Sequence, residues 1–170
     1  RKCLSKWDSC NLIMGLLGFG KSNDGRKQDS PIKNTNWHNE GESLVKLEKY
    51  EEAISCYDKI IRLDPQDLKA WSNKGFALIN LEEYEEAISC YNQVIRFNSK
   101  DYNAWFNRGN SLANLRKYEE AISCYDRVIK INPDEVSAWR HKGMVLKKLG
   151  GDEEAEKCFM KSKELEFTTK

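Results

Sequence analysis

The chain reads as an all-α protein built from stacked pairs of helices, and three observations predict this. The octapeptide YEEAISCY occurs at 50–57, 84–91 and 118–125, and a degraded copy, DEEAEKCF, continues the 34-residue step at 152–159. Trp37, Trp71, Trp105 and Trp139 keep the same step, as do Gly41, Gly75, Gly109 and Gly143, and Ala53, Ala87, Ala121 and Ala155. Within each period the apolar residues recur at helical spacing in two stripes separated by a short turn. A fixed period of this length is the signature of a repeat array. Four units follow, 34–67, 68–101, 102–135 and 136–169, preceded by an extension over 1–33 that reads as flexible or loosely docked.

The third unit shows the pattern most plainly. Trp105, Leu112 and Leu115 mark a first helix, and Tyr118, Ala121, Ile122, Tyr125, Val128 and Ile129 mark a second. Pro133 stops that second helix, as Pro65 does in the first unit, because proline lacks the N–H that would continue the ladder. The second unit has Asn98-Ser99-Lys100-Asp101 there, which is equally good turn chemistry. A glycine inside a helix costs about 1 kcal/mol relative to alanine, so four in register imply a packing need. Gly109 on one helix and Ala121 on the other are expected to let the two backbones approach closely.

The fourth unit departs from the others in a coordinated way. Ile54, Ile88 and Ile122 become Glu156; Ile60, Val94 and Val128 become Ser162; Ile61, Ile95 and Ile129 become Lys163. A terminal repeat with nothing stacked on it needs such a polar face, so the array is expected to end there. Leu165 and Phe167 leave a residual apolar edge.

The Trp, Gly, Tyr, Ala, Tyr/Phe and Pro at these spacings resemble the tetratricopeptide repeat family over residues 34–169. The resemblance implies a right-handed superhelical solenoid of antiparallel helix pairs whose usual role is to bind protein segments. One departure recurs. Glu40, Lys74, Arg108 and Lys142 stand where the family usually has Leu, and their long stems are expected to cover apolar surface with the charge in water.

Composition narrows the function classes. Hydrophobic residues make up 39% and charged residues 32%, which suits a soluble helical protein. The net charge of +1 provides no global field for nucleic acid. Residues 1–33 carry a net +4 and residues 34–170 a net −3, so a basic tail precedes a mildly acidic body. No apolar run approaches the ~20 residues of a membrane span. Leu12–Phe19 resembles a short signal-peptide core, but its glycines and the missing cleavage site argue against that.

Residues 15–22, GLLGFGKS, satisfy the phosphate-loop pattern from Gly15 to Lys21-Ser22. That motif works only where a strand feeds the glycine turn and a helix begins at the Lys-Ser pair. Here Leu12-Ile13-Met14 is too short a strand, and the residues after Ser22 read as loop, so nucleotide binding is a remote alternative. Cys56, Cys90, Cys124 and Cys158 share one place per unit. Equivalent sites in stacked helices lie roughly 8–10 Å or more apart, beyond disulfide reach. They are read as small buried apolar residues, with Cys3 and Cys10 free in the tail, which points to a reducing, cytoplasmic setting. His38 and His141 lack a nucleophile or orienting carboxylate at useful spacing, so they are read as solvated or partner-facing. No catalytic residue, metal site or cofactor is expected.

The resemblance places the first helices on the concave side. Asn39, Asn73 and Asn107 then form a row continued by His141, with Arg140 and Asn110 nearby. The row is similar to the asparagine ladder in the tetratricopeptide region of O-linked N-acetylglucosamine transferases, which holds the backbone of extended peptides. A carboxamide both donates and accepts, as a peptide group does. Beside the row, Phe76, Ile79, Phe106 and Ala113 are expected to grip an apolar side chain. Members of the family that clamp the acidic tail of heat-shock chaperones use a Lys, Asn, Asn, Lys, Arg set. Here the matching positions hold His38, Glu42, Asn73, Asn103 and Asn107, or one unit later Ser72, Phe76, Asn107, Ser137 and His141, so no such clamp is expected. The sequence therefore predicts a non-catalytic adaptor that binds a peptide or helix of a partner protein. The alternative is a self-assembling scaffold joined through the N-terminal segment or the last unit.

Overall fold

The computed structural model describes residues 31–168. They form α1 (Pro31–Lys46), α2 (Tyr50–Leu63), α3 (Leu68–Asn80), α4 (Tyr84–Phe97), α5 (Tyr102–Asn114), α6 (Tyr118–Ile131), α7 (Val136–Lys148) and α8 (Asp152–Thr168). Among the described residues there is no strand. Each sequence unit is one antiparallel helix pair, and the pairs stack into an all-α solenoid. The phosphate-loop-like segment Gly15–Ser22, the apolar run Leu12–Phe19, Cys3 and Cys10 lie outside the described residues.

Local chemistry sets the helix ends. The side chain of Asp67 accepts from the backbone N–H of Ala70 at 2.8 Å, and that of Asp101 from Ala104 at 2.9 Å. Each satisfies an N–H that the first turn leaves unpaired. The second helices α2, α4 and α6 have no side-chain cap. Instead they carry a Glu pair in the first turn, where negative charge suits the positive end of the helix dipole.

Each first helix ends in a left-handed residue: Glu48, Glu82, Arg116 and Gly150, at φ 59°, 62°, 59° and 82°. In the second unit the N–H of Glu83 donates to the carbonyl of Leu78 at 2.9 Å and that of Glu82 to Ile79 at 3.0 Å. This paired closure is the Schellman motif. Tryptophan fixes the other turn. The indole N–H groups of Trp71, Trp105 and Trp139 donate to the carbonyls of Pro65, Ser99 and Pro133 at 3.0, 3.0 and 2.9 Å. Ser99 thus serves where the flanking units have proline.

The core runs along the array as a repeated kernel. Tyr57, Tyr91, Tyr125, Ile60, Val94 and Val128 are enclosed, and the alanines at 53, 87 and 121 are fully buried beside them. The in-register glycines have a different cause from the one expected. A Cβ added at Gly41, Gly75, Gly109 or Gly143 would stand 2.7, 2.8, 2.9 or 2.7 Å from the ring of Tyr57, Tyr91, Tyr125 or Phe159. The missing side chain makes room chiefly for an aromatic ring of the second helix, rather than for its backbone.

Two further expectations are corrected. Lys74 and Lys142 do not leave their charge in water: they pair with Asp58 and Asp126 of the preceding second helix, each at 2.5 Å. Arg108 instead donates to Cys124 Sγ at 3.3 Å. In the last unit Glu156 and Lys163 are exposed, but Ser162 is buried. Its hydroxyl donates to the Phe159 carbonyl at 2.9 Å, so it is an internally satisfied core residue. Leu165 is buried as well, whereas Phe167 is 79% exposed.

Successive first helices touch, α1 with α3, α3 with α5 and α5 with α7, while no two second helices do among the described residues. The array therefore curves with the first helices on its inner side.

Candidate functional site

The inner face is built from equivalent positions of α1, α3, α5 and α7. Asn39 is exposed there, and Asn73, Asn107 and His141 are half-buried. The neighbouring position, one helical turn on, holds Glu42, Phe76, Asn110 and Met144, one from each unit. Phe76 is 47% and Met144 53% exposed, so two of these four positions present apolar surface on the inner face.

Two cavities open beside these residues. The first, of 270 Å³, is lined by Glu42, Val45, Lys46, Tyr57, Asn73 and Phe76. The second, of 490 Å³, includes Ile79, Asn110, Ala113, Tyr125, His141 and Met144 in its lining. Burial pushes the Tyr57 phenol up to about 12, with the nearby Glu42 carboxylate adding to the effect. The ammonium of Lys69, 2.8 Å from Glu42, holds that carboxylate below its usual range.

Of the sequence-predicted residues, Asn39 and Asn107 line neither of these cavities. Asn73 and Phe76 meet at the first cavity, while Ile79, Asn110 and His141 meet at the second. Phe106 packs edge-on against His141 at 5.0 Å and tilts against Tyr125 at 5.9 Å, so it buttresses the His141 ring. The His141 Nδ1 also lies 2.8 Å from the Ser137 carbonyl. Arg140 turns the other way. It is ion-paired with Glu166 of α8 and lines a separate cavity of 410 Å³ with Met144, Phe159 and Lys163. His38 is neither solvated nor free: its Nε2 lies 2.8 Å from Asp67, the residue that caps α3, and each side chain is only 14% exposed.

Sequence reasoning missed Val45, Tyr57, Tyr125 and Met144 as cavity residues. The two tyrosines belong to the buried core, and their rings also line the two cavities. The column Glu42, Phe76, Asn110, Met144 carried a usable signal, since its chemistry changes in every unit while its neighbours repeat.

Among the described residues no group of three or more His, Cys, Asp or Glu is arranged to hold a metal ion. Cys56, Cys90, Cys124 and Cys158 are buried free thiols, as expected. No helix among the described residues is long and apolar enough to cross a membrane.

Family models described as tetratricopeptide repeat match residues 37–67, 68–101 and 102–135, and a second model of the same description matches 136–169. Among solved structures, a crystal structure of MamA is similar at a TM-score of 0.78 and 24% identity, over 82% of each chain. MamA residues 41 to the end from Desulfovibrio magneticus RS-1 give 0.76 and 23%, over 79% of this chain and 76% of that one. The first repeat domain of Spaghetti (RPAP3), bound to the HSP90 peptide SRMEEVD, gives 0.68 and 28%, over 71% of this chain and 96% of that one. A search of the curated proteins gave no match.

Proposed function

Because the chain belongs to the tetratricopeptide repeat family, we propose that it is a non-catalytic adaptor that holds an extended segment of a partner protein along its inner face. The observation that carries this reading is the row Asn39, Asn73, Asn107 and His141 on the inner helices, running beside two open cavities. Carboxamides spaced along a groove can both donate to and accept from successive peptide groups. Phe76 and Ile79 supply apolar surface for side chains of the bound segment, with Phe106 backing the His141 ring, and Asn110 adds a polar contact at its far end. The peptide-bound RPAP3 domain supports this use of the fold.

The same comparison does not carry its ligand across. An acidic chaperone tail would meet Glu42 near the first cavity, and the matching positions lack the basic pair that such tails need. The buried free thiols suit a reducing compartment, and the cytoplasm is the proposed location.

The test uses peptides selected by display against the full chain. Replacing Asn73 and Asn107 together by Ala is expected to weaken the selected peptides about tenfold or more, the loss of one to two hydrogen bonds, with an unchanged Tm. Full retention of affinity refutes the reading.

A second reading is self-assembly through the last unit. It is favoured by Met160, 64% exposed, and Phe167, 79% exposed, on α8. Light scattering of the full chain and a Phe167→Ser variant separates a monomeric adaptor from an assembled scaffold.

A further inference from the structure

Two cavities of the inner face are built from the same positions, two units apart. Moving Glu42, Val45, Lys46, Tyr57, Asn73 and Phe76 along by two repeat periods gives Asn110, Ala113, Asn114, Tyr125, His141 and Met144. All six of the former line the first cavity and all six of the latter line the second. The groove therefore offers one side-chain receptor twice, with different chemistry at its floor.

In the second cavity the floor is satisfied. The hydroxyl of Tyr125 donates to Asn110 Oδ1 at 2.8 Å, and Ile79, Ala113, Met144 and Val145 surround the opening with apolar surface. In the first, Tyr57 is fully enclosed and its hydroxyl has no hydrogen-bond partner. Glu42, at the position of Asn110, is held by Lys69 instead. Asn73 approaches the phenol without completing a hydrogen bond. A buried hydroxyl left unpaired is costly, and a bound group that accepts from it relieves that cost. Tyr91, whose hydroxyl is unpaired as well, lines neither cavity.

The geometry points to an extended peptide with a carboxamide side chain, Gln or Asn, in the first cavity and a large apolar side chain in the second, six residues apart. This rests on the groove reading above. A carboxamide accepts from Tyr57 through its oxygen and donates to Glu42 through its nitrogen, while its stem lies against Val45 and Phe76. A carboxylate there meets Glu42, and an ammonium meets Lys46 and Lys69, so the neutral group fits best. The spacing follows from the stack. Helices pack about 8–10 Å apart, so two steps span about 16–20 Å. An extended chain rises about 3.3 Å per residue and returns to the same face at even steps, which gives six residues.

The test displays random 12-residue peptides to the full chain and reads the enriched sequences. The expected result is Gln or Asn paired with Leu, Ile, Met, Phe, Trp or Tyr at a separation of six, in one chain direction. In a synthetic binder, Gln→Met is expected to weaken affinity about tenfold, the worth of one good hydrogen bond. Against Tyr57→Phe protein the gap between the Gln and Met peptides is expected to narrow to what the contact with Glu42 alone contributes. Binders that need Asn73 and Asn107 but lack the six-residue pair, or that tolerate Gln→Met, overturn this inference and leave the groove reading standing. Binders indifferent to the two asparagines, or no enrichment at all, overturn both.

Discussion

The hydroxyl of Tyr125 donates to Asn110 Oδ1 at 2.8 Å, whereas Tyr57 and Tyr91, at the same place in the two preceding units, have no partner. The cause lies one column away: Asn110 accepts, Phe76 offers no acceptor, and Glu42 is occupied by Lys69. Removing a paired buried hydroxyl costs about 1 kcal/mol, while removing an unpaired one costs nothing or stabilises. Tyr125→Phe is therefore expected to lower the stability measured by urea denaturation by about that amount, and Tyr91→Phe to leave it unchanged or raise it. Equal losses in the two variants contradict this account.

Charge pairing between units supports a second prediction. Asp58 and Asp126 each meet the lysine sixteen residues on, Lys74 and Lys142. The middle unit has Asn92 in that place, and Arg108 turns to Cys124 with its Nε buried and unpaired. Asn92→Asp is expected to supply the missing acid and to add about 0.5–1 kcal/mol, the upper range for a partly exposed ion pair. The gain should shrink as salt is raised from low ionic strength to 1 M. A loss of stability, or a gain indifferent to salt, removes the explanation.

The fold was legible because it is written four times. A stripe that occurs once competes with many readings, but Trp71, Trp105 and Trp139 at one spacing admit few. That Asn73, Asn107 and His141 share one place per unit followed from the same register, while their place on the inner side was what the family resemblance implied. What stayed hidden was how side chains use their surroundings. Nothing in the spacing says that Arg140 turns toward Glu166, that His38 bonds to Asp67, or that Ser162 is covered while Lys163 is not. Those outcomes depend on side-chain rotation and on neighbours in other units. The unpaired hydroxyl of Tyr57 was equally invisible, since Tyr57 and Tyr125 sit in identical octapeptides and differ only through Glu42 and Asn110.

The left-handed turn residues support a third prediction. Glu48, Glu82 and Arg116 hold positive φ where the last unit has Gly150. A side chain in this conformation costs roughly 1–2 kcal/mol that glycine avoids, partly offset by glycine's greater freedom when unfolded. Glu82→Gly is expected to raise the Tm modestly, and the triple glycine variant to raise it further, with no change in helical circular dichroism. A lower Tm means that the Glu82 side chain makes a contact of greater worth than the strain.

Alkaline pH tests the burial of the repeated Cys-Tyr pair. Burial pushes the Cys90 thiol up to about 11 and the Tyr57 phenol to about 12, and raises Tyr91, Tyr125 and Cys124 as well. The ordinary values are 9.0 for the thiol and 10.0 for the phenol. Burial favours the neutral, protonated form, so above pH 9 the unfolded chain releases protons that the folded chain keeps. Unfolding then gains from rising pH, and the contribution present below pH 9 is lost as pH climbs through the folded values. The urea midpoint is expected to hold between pH 7 and 8 and to fall from pH 9 upward. Cys90→Ala, which removes one such group, should be less stable at pH 7 but lose less between pH 9 and 11. A midpoint that stays constant to pH 11, or an equal fall in the variant, shows that these groups are not buried as described.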